Sequence, residues 1–195
     1  MAILGELDDR LSVVKRWGIL RTINTQSVAE HCFNVQRICI RMAKWFDICD
    51  PDDLFLLSQG ALHHDDLEAI TGDLPTPAKD YIAKKEGGID TDAGVWYDTL
   101  PDNFKEIIKL ADLMEAFHFL AIEMKMGNRY VVRHRRYLRQ SINKHINNHQ
   151  HWPAEVSKNV NDWIVATENE TSRIYTRGDN GVVRSPEGSL EERVG

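Results

Sequence analysis

Apolar positions along this chain recur three and four residues apart, the spacing that lays one continuous stripe along an α-helix. In TQSVAEHCFNVQRICIRMAKWF, residues 25–46, the stripe is His31, Val35, Ile38, Met42 and Trp45. Ser27 and Glu30 stand at the start as a reciprocal capping pair. A second helix opens at DPDD, with Asp50 as cap and Pro51 in the first turn, and its stripe is Leu54, Leu57, Ala61 and His64. A third, from about Asn103 to Met126, carries Phe104, Ile108, Ala111, Asp112, Glu115 and Phe119 on or near one face. Two more fit about Arg129 to Asn148 and about Pro153 to Tyr175, and a first helix ends near Trp17. No strand-like alternation appears, so the expected class is all-α, a single compact helical bundle.

The stripes contain exceptions. His31, His64 and Asp112 each fall on the apolar side of a different helix, where a polar group needs a partner. The second lies in ALHHDDLEAITGDLPTP, residues 61–77, where two histidines and two aspartates follow one another. Three solutions are open from the residues alone: histidines bonded to core carbonyls, a buried ion pair for Asp112, or a metal. Imidazole nitrogen with carboxylate oxygen suits a borderline or hard divalent ion, and two His with two Asp leave room for water. Periodicity gives the inward direction of these side chains and not their convergence.

Composition narrows the setting. The 195 residues suffice for one domain with a real core. A net charge of -6 argues against broad binding to a nucleic-acid polymer. No apolar run is long enough for a bilayer, and the acidic start MAILGELDDR is unlike a secretory signal, so a cytoplasmic location is expected. Cys32, Cys39 and Cys49 form no CxxC pair and read as reduced, mostly buried thiols. The expected organisation is one domain over 1–176 and a polar, Gly-rich and charged tail over 177–195.

Four segments carry a resemblance: RWGIL (16–20), SVAEH (27–31), HDDLEAITGDLPTPAK (64–79) and KLADLMEA (109–116). Together they resemble the bacterial 5'-deoxynucleotidases of the HD-domain phosphohydrolase superfamily, and the related phage dATP triphosphohydrolases, over roughly residues 10–140. Counting back from Thr71-Gly72-Asp73, the resemblance sets the His-Asp pair at His64-Asp65, in agreement with the stripe, and leaves His63 and Asp66 outside it. It implies a divalent cation (Co, Mn, Zn or Mg) held by His31, His64, Asp65 and Asp112, and hydrolysis of the ester between the 5' oxygen and the α-phosphorus. Glu68 is then the catalytic acid/base, and Asp73 assists hydrolysis or orients the sugar.

On the substrate side, the resemblance puts the Arg16 fork on phosphate, Trp17 and Ile19 against the nucleoside, and Lys79 on phosphate. Ile19 would crowd a purine carrying an extra exocyclic amine. A shorter stretch between Asp73 and Asp112, with Lys84 and Lys85 beside Lys79, favours the phage reaction, dATP to deoxyadenosine and triphosphate, in a phage using 2-aminoadenine. The alternative is release of phosphate from deoxynucleoside monophosphates. The implied partners are a small deoxynucleotide substrate and further copies of the chain, in the host cytoplasm if the protein is phage-encoded. Arg133, Arg135, Arg136 and Arg139 read as a solvated or subunit-contact face.

Overall fold

The computed structural model describes residues 6–86 and 95–178. The chain runs α1 (Glu6–Val13), α2 (Val28–Met42), a 3-10 turn (Ala43–Phe46), α3 (Pro51–His63), α4 (Glu68–Thr71), α5 (Thr76–Glu86), α6 (Val95–Asp98), α7 (Asp102–Lys125), α8 (Val132–Asn148) and α9 (Ala154–Gly178). Among the described residues the only extended pairing is an isolated bridge between Lys15 and Ser27, so the all-α expectation holds.

The caps form as the sequence requires. Ser27 Oγ accepts from the Glu30 amide at 3.1 Å while Glu30 Oε2 accepts from the Ser27 amide at 2.7 Å, closing the capping box of α2. Asp50 accepts from the amides of Asp52 and Asp53, and Pro51 fills a first-turn position that needs no donor. The regular α-helix over residues 25–46 is shorter than expected. It gives way to the 3-10 turn at Ala43, which ends with Asp47 in the left-handed region at φ 55°.

The long α7 is the axis of the bundle, with α2, α3, α8 and α9 packed around it. It is buried on more than one face, through Ile107, Ile108, Leu110, Ala111, Phe117, Leu120 and Ala121 among others. Val35, Cys39 and Met42 from α2, Leu57 from α3, Ile142 from α8 and Ile164 from α9 close the core against it. Burying one such side chain contributes about 1.5–3 kcal/mol. Gly60 lets α3 come close: a Cβ there would lie 2.3 Å from Leu100 Cδ1 and 2.8 Å from Ile108 Cδ1.

The segment between α1 and α2 has no regular structure and is held by directed bonds. Glu123 on α7, fully buried, accepts from the amides of Ile23 at 2.6 Å and Asn24 at 2.8 Å and from the Asn128 side chain at 2.7 Å. Cys32 and Cys39 are buried, whereas Cys49 is exposed. Among the described residues no helix is long and apolar enough to cross a membrane. The tail beyond Gly178 lies outside the described residues, as does 87–94 in the stretch whose shortness favoured a triphosphate.

Candidate active site

Three backbone elements bring the four expected ligands to one point. The inner face of α2 supplies His31, the C-terminal end of α3 supplies His64 and then Asp65, and the middle of α7 supplies Asp112. His31 Nε2 lies 3.2 Å from His64 Nε2, 3.5 Å from Asp65 Oδ2 and 3.3 Å from Asp112 Oδ1. His64 Nε2 and Asp65 Oδ2 are 3.4 Å apart. Donor atoms of His31, His64 and Asp65 all fall within 4.8 Å of one another, and Asp112 joins the group through its contact with His31.

The ring orientations suit a cation at this point. His64 Nδ1 donates to the Ala61 carbonyl at 2.8 Å, so in the neutral ring Nε2 is a bare lone pair. Burial pushes the His64 pKa down and keeps that ring neutral. His31 Nδ1 is bonded to Glu115 Oε2 at 2.7 Å, which turns its Nε2 toward the same point. Burial and Arg16 press the His31 pKa down, but hydrogen bonds to Asp112 and Glu115 outweigh them and raise it. A divalent ion at this point would satisfy both rings and both carboxylates, so the donor set fits one.

The surroundings are charged but ordered. Burial works against the Asp112 anion, yet Lys109, with its Nζ at 2.7 Å, and then His31 and Arg16 hold the carboxyl well below the ordinary range. Glu115 Oε1 also accepts from Gln26 Nε2 at 2.6 Å and Asn34 Nδ2 at 3.3 Å, so the carboxylate that orients His31 is itself fixed. Arg16 approaches Asp65 at 3.8 Å and Asp112 at 4.0 Å, too far for hydrogen bonds. Its buried Nε and Nη1 have no hydrogen-bond partner, although the side chain is only 13% exposed.

These groups open onto a cavity of about 880 Å³ lined by Arg16, Trp17, Ile19, Glu68, Asp73 and Lys79 among others. Glu68 is 3% exposed; burial, then the neighbouring Asp65, pushes its pKa up to about 7. Lys79 Nζ bonds its Oε1 at 2.6 Å and Oε2 is buried without a hydrogen-bond partner. Asp73 Oδ2 accepts from the Trp17 amide at 2.7 Å, and the Trp17 ring stacks on Phe119 at 5.3 Å and 8°. Trp17 stands at φ 69°, a left-handed conformation uncommon for a bulky residue.

The model of the YfbR-like 5'-deoxynucleotidases matches residues 6–86. A 5'-deoxynucleotidase of Vibrio parahaemolyticus is 30% identical over 145 residues, spanning 61% of this chain and 73% of that protein. The chain belongs to the YfbR-like 5'-deoxynucleotidase family. It is therefore an HD-domain, metal-dependent deoxynucleotide phosphohydrolase. A 5'-deoxynucleotidase of Erwinia tasmaniensis is 35% identical over 80 residues, 38% of this chain and 39% of that one. Among solved structures, the HD phosphohydrolase DatZ of cyanophage S-2L, bound to dA and one catalytic zinc ion, superposes with a TM-score of 0.66. That match covers 89% of this chain and 99% of that one at 22% identity, a likeness of fold.

Some residues of this YfbR-like site had only faint sequence signals. Glu115 stands three residues after Asp112, on the same inward face, and Lys109 three before it, both at same-face helical spacing. Gln26 and Tyr97, which borders the cavity, carry no comparable pattern. Two expectations need correction. Trp17 is not at the end of the first helix, because α1 stops at Val13 and Trp17 sits in a turn held by Asp73. Arg135 is not on a solvated face: it is 8% exposed and its guanidinium packs over the Phe117 ring at 4.4 Å. Arg139 pairs with Glu168 across to α9, and Lys84 and Lys85 are exposed in the last turn of α5.

Proposed function

We propose that this protein is a 5'-deoxynucleotidase releasing phosphate from deoxynucleoside 5'-monophosphates. The observation that carries the reading is the family match over residues 6–86, the stretch containing Arg16, Trp17, His31, His64, Asp65, Glu68, Asp73 and Lys79. His31, His64, Asp65 and Asp112 would hold a divalent cation, which would supply an activated water and polarise a phosphoryl oxygen. Arg16 offers its unspent N–H groups to the remaining phosphoryl oxygens and gains in the complex the bonds it lacks without one. As the oxygen of water bonds to phosphorus, the bond from phosphorus to the 5' oxygen breaks, and Glu68 gives its proton to that departing oxygen. The pKa near 7 keeps this proton available at neutral pH. Trp17 and Ile19 flank the nucleoside, and Asp73 holds the Trp17 backbone in place. Lys79 acts first as the partner of Glu68 and then as a phosphate contact when the pocket fills.

A second reading, dATP to deoxyadenosine and triphosphate, is supported by the extent of the cavity. It continues from the HD centre to Lys144 on α8, where further phosphates would find positive charge. Both reactions break the same bond, so product anions separate them. Metal-loaded protein is incubated with dAMP, dATP and 2-amino-dATP, and the anions are resolved by ion chromatography. Phosphate from dAMP with dATP intact is the expected result; triphosphate from dATP with dAMP intact replaces it with the second reading. If 2-amino-dATP is spared, Ile19→Ala tests whether this 71% exposed side chain at the cavity wall discriminates purines.

A further inference from the structure

Away from the HD centre, α7 and α8 bring together a second set of metal-type donors. Glu106 stands in the first turns of α7, His145 in the last turn of α8, and His149 at its C-cap. The two histidines are four residues apart, the spacing that puts two imidazoles on one helical face to share a metal. Glu106 Oε2 lies 3.6 Å from His145 Nε2 and 3.4 Å from His149 Nε2. One donor atom from each of the three residues falls within 4.8 Å of the others. A tetrahedron with bonds of roughly 2.0–2.1 Å has edges of roughly 3.3–3.4 Å, so these gaps are close to ligand-to-ligand distances around zinc.

The hydrogen bond behind His149 points the same way. His149 Nδ1 donates to the His145 carbonyl at 2.8 Å, which leaves the neutral ring with a bare Nε2 aimed at a carboxylate. Two electron-pair donors facing each other at that distance need a cation or a proton between them. Trp152 stacks on the His149 ring at 4.4 Å and 15° and fixes its plane. His145 Nε2 donates to the Glu106 carbonyl at 2.9 Å, and a cation bound at that nitrogen would take the place of this proton.

We infer that Glu106, His145 and His149 form a second divalent-cation site, zinc-like in its ligands, that staples the start of α7 to the end of α8. Because His145 also borders the substrate cavity, the staple fixes that end of the cavity wall. The HD centre and this one share no ligand.

The test uses the full chain without an affinity tag, stripped with chelator and titrated with Zn²⁺ alone, with bound metal counted by elemental analysis after gel filtration. The expected count is two ions in the wild type, one in His149→Gln and one in the double variant His64→Gln/Asp65→Asn. Glu106→Gln, which alters only a partly exposed carboxylate, weakens the second ion at least tenfold and covers the case in which His149→Gln does not fold. In His64→Gln/Asp65→Asn, Zn²⁺ still raises the melting temperature, and adding Glu106→Gln abolishes that shift. A wild type that holds a single ion, lost with His64→Gln/Asp65→Asn and kept in His149→Gln, overturns the inference. So does a His149→Gln or Glu106→Gln protein that still binds two ions with unchanged affinity.

Discussion

Arg16 is the sharpest test of how the pocket recognises phosphate. In the substrate-free protein its guanidinium is buried between Asp65 and Asp112, and Nε and Nη1 have no hydrogen-bond partner. On the proposed reading, a phosphoryl group entering the cavity would meet that deficit with charge-assisted bonds of about 1.5–3 kcal/mol each. Arg16→Lys keeps the charge but loses the fork, forfeiting about one such bond. Arg16→Met removes both bonds and costs about 3 kcal/mol or more. At about 1.4 kcal/mol per factor of ten, kcat/KM should fall about tenfold for lysine and at least about a hundredfold for methionine. The assay is initial-rate phosphate release at saturating metal, with metal content measured on the same preparations. Metal occupancy should be maintained or improved, because removing a cation beside Asp65 and Asp112 leaves the carboxylates freer to bind one. A methionine variant within threefold of wild type would refute the reasoning, and so would a loss of activity that tracks loss of metal.

Glu68 gives a pH prediction. Its pKa of about 7 lies above the ordinary glutamate value, so the proton needed by the leaving oxygen is present below pH 7 and lost above it. The rate should fall about tenfold per pH unit on that limb, and Glu68→Gln should be 10²- to 10⁴-fold slower with the limb gone, measured as kcat against pH. Glu123→Ala strands the amides of Ile23 and Asn24 and the Asn128 side chain, and should cost about 3–5 kcal/mol in urea unfolding. Gly60→Ala drives a methyl against Leu100 and Ile108 and should lower stability by about 1–3 kcal/mol, seen as a lower melting temperature with metal stoichiometry unchanged. Chelator should abolish phosphate release and lower the melting temperature, both restored by divalent metal; activity undiminished by exhaustive chelation would remove the metal from the reaction.

The metal-type cluster was legible because its residues broke a pattern. His31, His64 and Asp112 interrupt apolar stripes, and a stripe fixes direction well enough to choose His64 over His63. Convergence was not legible, since it depends on how α2, α3 and α7 pack, and only the resemblance pointed to it. The segment after α1 was harder still. Nothing in its periodicity shows that α1 ends at Val13, because what ends it is a set of distant partners, Asp73 and Glu123, that hold the chain in an irregular path. Arg135 misled for the opposite reason. Four arginines close together look like a charged surface, yet one of them packs its flat face on Phe117 inside the bundle.

The path from Lys15 to Asn24 is fixed through its main chain. The Arg16 amide donates to the Gln26 carbonyl, the Trp17 amide to Asp73, the Leu20 amide to the Trp17 carbonyl, and the amides of Ile23 and Asn24 to Glu123. None of these anchors depends on which side chain stands at 18, 19 or 20. On the proposed reading, a frame of this kind would let evolution rewrite the wall that meets the base while the guanidinium keeps its place in the cavity. Change in base preference would thereby be uncoupled from loss of catalysis, and a lineage could trade one deoxynucleotide for another by substitutions at the Gly18-Ile19 step without passing through an inactive enzyme.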